Sequence, residues 1–146
     1  MESQITKALT PDLLQVDLTI KNIGSSRSAL EDGIKSILPL PQNPLHSIAH
    51  YHFRRFGKLL RGRTALKVSK FVRIEPSAAL NWALAVELMH NASLVHDDIC
   101  DQDESRHDYP TIFSAFGTPS AVCFGDWLVA RSFELAIKSV SSDKGV

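Results

Sequence analysis

One long helix, predicted over residues 77–101, constrains this chain more than any other feature. Pro76 suits the first helical position, where a missing N–H costs nothing, and the run after it stays apolar up to an acidic end at Asp97, Asp98 and Asp101. Other helix signals surround it. Thr10-Pro11 opens a segment to about residue 23, Gly24-Ser25-Ser26 breaks it, and a second helix is expected over 29–38. Pro39, Pro41 and Pro44 make 38–44 a turn, followed by a helix over 45–56, a bend at Gly57 and a basic helix to Arg73. Beyond the long helix, 102–109 reads as a polar loop and 111–116 as a short helix, and Thr118-Pro119 starts a last long helix ending near Ser141. No segment alternates as a strand would, so the expected fold is all-α.

At about 100° per residue, His90, Ser93, Asp97 and Asp101 share one stripe of the long helix, with Asp98 at its edge. Val86 and Ala83 continue the stripe as an apolar wall, as in a helix lining a cavity. On an open helix, the like charges of Asp97 and Asp101 cost a few tenths of a kcal/mol. In a cleft of effective dielectric near 20, charges about 6 Å apart repel by about 3 kcal/mol. A hard divalent cation such as magnesium relieves that repulsion. A solvated acidic helix end is the plain alternative. His96, about 100° off the stripe, suits packing better than ligation. A phosphohydrolase centred on His96 and Asp97 would need further ligands, for which His46, His50 and His52 are loosely placed.

The formal net charge is zero, from 16 basic and 16 acidic residues, but the two signs are segregated. Residues 1–75 hold 12 bases and 6 acids, whereas 76–146 hold 4 and 10. From Arg54 to Arg73 there are eight bases and no acid, while 97–108 holds six acids against Arg106 alone. If Gly57 leaves the helix unbroken, Arg54, Lys58 and Arg61 fall within about 60° of one another, a face suited to a phosphate or diphosphate. A solvated cationic face, or a weak nucleic-acid or membrane-surface patch, would look similar. Sparse aromatic interleaving and the lack of a binding motif argue against a nucleic-acid partner.

With 44% hydrophobic and 22% charged residues the chain is not a disordered one, and 146 residues suit one domain. The first ten residues lack a signal-peptide pattern, and the charge-free stretch 109–125 contains Pro, Gly and Ser, so no transmembrane segment is expected. Cys100 and Cys123 form neither a disulfide framework nor a metal finger, and a reducing, cytoplasmic setting is the expectation.

Several of these stretches resemble the trans-isoprenyl diphosphate synthases (polyprenyl synthetases). Phe56-Gly57-Lys58-Leu59-Leu60-Arg61 is similar to their G-K-x-x-R element, and residues 87–101, ending in Asp97-Asp98-Ile99-Cys100-Asp101, are similar to their first aspartate-rich helix. Arg106 through Pro110-Thr111 resembles the R-R-G-x-P-T stretch, and the pattern continues through Ala115-Phe116-Gly117 and Gly125-Asp126 to Arg131-Ser132-Phe133. The likeness covers about residues 54–137 in order. It implies the N-terminal half of an isoprenoid-synthase-type helical bundle around a central cavity, with residues 1–146 as a single partial domain. The implied activity is a magnesium-dependent prenyltransferase that joins isopentenyl diphosphate head-to-tail to an allylic prenyl diphosphate. Asp97, Asp98 and Asp101 would hold magnesium against the allylic diphosphate with Arg106 assisting, and Lys58, Arg61, His90 and His107 would bind isopentenyl diphosphate. His90 lies about 10 Å along the helix from Asp97, which suits two adjacent diphosphate sites. Small residues at Ala92 and Ser93, four or five places before the first aspartate, imply an open floor and a medium or long product.

Three positions depart from that pattern. The second arginine is His107, the following glycine is Asp108, and the proline after the G-K-x-x-R arginine is Gly62. The family also carries a second aspartate-rich motif that this sequence lacks. The resemblance therefore implies a catalyst complete only with a second half or partner chain, in a homo- or hetero-oligomer. The alternative is a non-catalytic or regulatory prenyl-synthase-like subunit.

Overall fold

The computed structural model describes residues 26–142, so the helix expected over 10–23 lies outside the described residues. The described elements are α1 (Ser26–Ile37), α2 (His46–His52), α3 (Leu60–Phe71), α4 (Pro76–Cys100), β1 (Ser105–Arg106), β2 (Tyr109–Pro110), α5 (Ile112–Phe116) and α6 (Thr118–Ser142). The fold is all-α apart from one two-residue ribbon.

Local chemistry sets the limits of α4. Pro76 occupies the first turn, and the Glu75 carboxylate accepts the Ala78 N–H at 2.9 Å, satisfying an amide the helix leaves unpaired. The hydroxyl of Ser77, then these amides, hold the Glu75 carboxyl below its ordinary range. At the other end Asp101 caps the helix, and Gln102 turns the chain with a positive φ of 58°.

Helix α4 is the centre of the bundle. Its Leu80, Leu84, Leu88 and Val95 are buried with Leu30 and Ile34 of α1 and with Phe124 and Leu128 of α6. Helices α1 and α3 pack on α4 and on each other, α6 runs along α4, and α2 and α5 meet near the acidic end. Two glycines permit close approach. A Cβ on Gly33 would fall 2.9 Å from Leu84 Cδ1. One on Gly125 would fall 2.2 Å from His96 Nε2, so His96 packs against the α6 backbone, as its off-stripe position predicts.

Helix α1 runs from Ser26, inside the expected break and three residues before 29, and the other main differences follow α2. Helix α2 stops at His52 rather than residue 56, and residues 56–59 belong to no helix or strand. Leu59 then takes a left-handed φ of 48°, so α3 starts only at Leu60. Within the expected loop, β1 and β2 pair antiparallel, Arg106 opposite Tyr109. The linking His107 and Asp108 have φ of 52° and 66°, as a tight hairpin turn requires.

Candidate functional site

The acidic end of α4 divides into two environments. Asp97 and Asp101 are exposed, one turn apart, while Asp98 is only 5% exposed. Its Oδ1 accepts from Arg106 Nε at 2.8 Å and from Arg106 Nη2 at 2.6 Å. The hydrogen bond to Asp98 is the main reason the guanidinium holds its proton even more firmly than usual. Asp103 lies 3.9 Å from the same Nη2. Thr111 anchors the ribbon carrying Arg106: its hydroxyl donates to the Asp103 carbonyl at 2.8 Å and accepts from the Ser114 N–H at 3.1 Å. The three aspartates therefore do not act alike. Two present open oxygens, and one is held by an arginine.

A groove of about 670 Å³ runs between α4 and α6, lined by Trp82, Val86, Met89, Ala92, Phe133 and Ala136, with Arg61, His90, Ser93, His96 and Ser132 as its polar members. Burial, then the Arg61 cation, pushes the His90 imidazole below its ordinary value, with Glu87 and Asp97 opposing. His90 is thus biased to the neutral form. Of the apolar stripe expected beside the aspartates, Val86 lines the groove, whereas Ala83 is fully buried with its carbonyl facing Gly62. Ala92 and Ser93 both line the groove, although a helical wheel points only Ser93 that way.

The bases do not form one helical face. Arg54 follows α2, Lys58 is exposed in the irregular link before α3, and Arg61 stands in the first turn of α3. The break at 56–59 is the physical reason. Gly62 also acquires a role that the sequence alone did not suggest. Its N–H donates at 2.8 Å to Oε1 of the buried Glu87, so a carboxylate from α4 caps the first turn of α3 and fixes the turn that bears Arg61.

A second cavity of about 470 Å³ lies between the end of α2 and the ribbon, and Arg54, Arg55, Arg106 and His107 line it. His52 stands in its wall, and Asn91 Oδ1 lies 2.8 Å from its Nε2. Burial pushes His52 below its ordinary value, against the Asn91 hydrogen bond. His46 and His50 pack against each other with ring centroids 4.2 Å apart and planes tilted by 48°. Among the described residues no three His, Cys, Asp or Glu side chains are grouped to hold a metal ion, neither these histidines with His96 and Asp97 nor the three aspartates expected to bind magnesium. Also among them, no helix is long and apolar enough to cross a membrane.

A helical bundle built around one long aspartate-ended helix, with a groove along its flank, is the isoprenoid-synthase fold. An isoprenoid synthase family member from Thermotoga neapolitana superposes with a TM-score of 0.74 at 29% identity, over 80% of this chain and 46% of that one. The geranylgeranyl pyrophosphate synthetase of Geoglobus acetivorans gives 0.69 at 30% identity, over 82% of this chain and 38% of that one. The sequence model of the Polyprenyl synthetase family matches residues 42–145, and the chain belongs to that family. It is 39% identical over 104 residues to the geranylfarnesyl diphosphate synthase of Methanosarcina mazei, a match covering 70% of this chain and 35% of the relative. The chain thus spans about a third of the length of that relative.

Proposed function

We propose that this chain is the N-terminal, diphosphate-binding part of a magnesium-dependent prenyl diphosphate synthase. It would join isopentenyl diphosphate head-to-tail to an allylic diphosphate, and be complete only with a second half or a partner chain, as one partial domain of a cytoplasmic homo- or hetero-oligomer. The observation that carries this reading is the pair of open carboxylates, Asp97 and Asp101, on a helix whose flank lines an apolar groove bearing Arg61 and His90.

Hard oxygen donors on consecutive turns fit magnesium, so Asp97 and Asp101 would hold it, while Asp98 would act through Arg106. When bound, the ion stabilises the negative charge of the departing allylic diphosphate. Lys58, Arg61 and a neutral, donating His90 would bind the diphosphate of isopentenyl diphosphate. The apolar groove would take the growing chain, with Ala92 and Ser93 leaving its floor open for a medium or long product, and would exclude water.

Titration calorimetry with an allylic diphosphate tests this. Binding should require magnesium and weaken at least tenfold in Asp97→Ala; binding indifferent to both would sink the reading. His107 and Asp108 in place of an arginine and a glycine favour a second reading, a prenyl-synthase-like subunit that binds prenyl diphosphates without turning them over. Mixing with a complementary chain separates the two, because turnover dependent on Asp97 excludes a purely structural role.

A further inference from the structure

The second cavity holds a charge arrangement that the motif residues do not explain. Arg106, which fills the first arginine position, is committed to buried Asp98. His107, at the second, offers an imidazole in place of the five-donor guanidinium fork. Neither position offers an uncompensated permanent cation to a ligand in the cavity.

Arg54 and Arg55 line the same space and have no carboxylate within ion-pair distance among the described residues. They are nonetheless held. The Arg54 guanidinium lies 3.6 Å from the Tyr51 ring centroid and 5.1 Å from that of Tyr109, and its Nη1 donates to the Tyr51 carbonyl at 3.2 Å. Arg55 lies 4.3 Å from the Tyr109 centroid. Tyr51 is itself tied to the ribbon, its hydroxyl donating to the Pro110 carbonyl at 2.9 Å. Stacking occupies a guanidinium's face and leaves its in-plane N–H donors free. Two adjacent, pre-oriented cations without a counter-ion repel each other, and a multiply charged anion bridging them removes that repulsion.

We infer that Arg54 and Arg55 form a diphosphate grip in this cavity and supply the cationic contact that His107 does not. The ligand is a diphosphate ester, and the argument rests on the isopentenyl diphosphate reading above. Gly57, next to Lys58, also lines the cavity, while Arg61 and His90 line the groove along α6, so the grip adjoins the Gly57-Lys58 end of the G-K-x-x-R element.

The test is calorimetric titration of the whole chain, without magnesium, with isopentenyl diphosphate and separately with inorganic diphosphate. Arg54→Gln/Arg55→Gln should weaken isopentenyl diphosphate binding tenfold or more, as losing charge-assisted hydrogen bonds does. Adding His107→Arg to that variant should recover most of the loss. A double variant binding within twofold of the parent, while Lys58→Ala loses tenfold, overturns the grip and leaves the isopentenyl diphosphate reading intact. A parent that binds no isopentenyl diphosphate, and gains none with His107→Arg, overturns that reading and the grip with it. Loss of inorganic diphosphate alone would overturn the assignment to the ester. Should the double variant fail to fold, phenylglyoxal modification of the parent, read by mass spectrometry, decides the matter. Isopentenyl diphosphate should protect Arg54 and Arg55, and unprotected arginines refute the proposal.

Discussion

The ion pair between Arg106 and Asp98 makes a quantitative test of how the acidic block is divided. Removing Arg106 strands a carboxylate whose residue is 5% exposed and whose Oδ1 loses donors at 2.8 and 2.6 Å. Breaking a buried pair by deleting one partner costs about 3–5 kcal/mol. The Arg106 side chain is 35% exposed, however, so water can reach part of the space it leaves. Discounting for that access gives about 2 kcal/mol for Arg106→Ala. Asp98→Asn keeps an acceptor at nearly the same place and should cost about 1 kcal/mol. In the double variant the stranded charge is gone, so the cycle should show a coupling of about 1 kcal/mol or more. Urea unfolding followed by far-ultraviolet circular dichroism, with unchanged m-values, provides the measurement. A cost below about 0.5 kcal/mol for Arg106→Ala, the level of an ordinary surface change, would refute the reasoning. So would additive single variants.

Asp97→Asn, by contrast, should change stability by less than about 0.5 kcal/mol without magnesium, because the side chain is exposed. Magnesium should raise the thermal midpoint of the parent and not that of this variant; an equal rise in both would remove Asp97 from the ligand set. Gly62→Ala places a Cβ 2.8 Å from Glu87 Cγ and 3.1 Å from the Ala83 carbonyl oxygen, and should cost about 1–3 kcal/mol in urea unfolding. Gly62→Pro should cost more, since it also removes the N–H that Glu87 accepts; a neutral Gly62→Pro would show that the contact does not matter. Burial, foremost, lowers both His52 and His90 in the folded state, so the unfolded chain binds their protons more readily. Their contribution is therefore complete above about pH 6.5 and is lost as pH falls below it, at no more than about 1.4 kcal/mol per pH unit for each group. His52→Gln should flatten the fall between pH 6.5 and 5.5, and an unchanged slope would count against burial as its cause.

What the sequence revealed was mostly local. The start of α4 was legible because Pro76 is a strong signal, and its end lay one residue from expectation. The short helix expected over 111–116 is α5, and the structure adds that the Thr111 side chain caps it. The end of α2 was not, since no breaker precedes Gly57 and the helix yields instead to packing by Phe53 and Phe56. That unseen end broke the wheel on which Arg54, Lys58 and Arg61 converged. The ribbon was hidden for another reason. Two-residue turns of this kind are usually marked by Asn-Gly or Asp-Gly, and His107-Asp108 carries no such mark. The wheel placed Asp98 correctly at the edge of its stripe, but no local rule connects it to Arg106 across the ribbon.

The separation of charge in the sequence thus survives into three dimensions, with one deliberate exception. Arg54, Arg55 and Arg61 form no ion pair with Asp97 or Asp101, nor with any other carboxylate, among the described residues. Among the described residues only Arg106 crosses to the acidic helix, and it takes Asp98, the one aspartate of the motif that is buried. Had a base from the 54–61 stretch taken Asp97 instead, one pairing would have cancelled both an open carboxylate and a free cation. A zero net charge therefore says little about what this chain can bind. Uncompensated cations and uncompensated carboxylates persist at separate places, and a diphosphate and a divalent cation are the ligands that complement them.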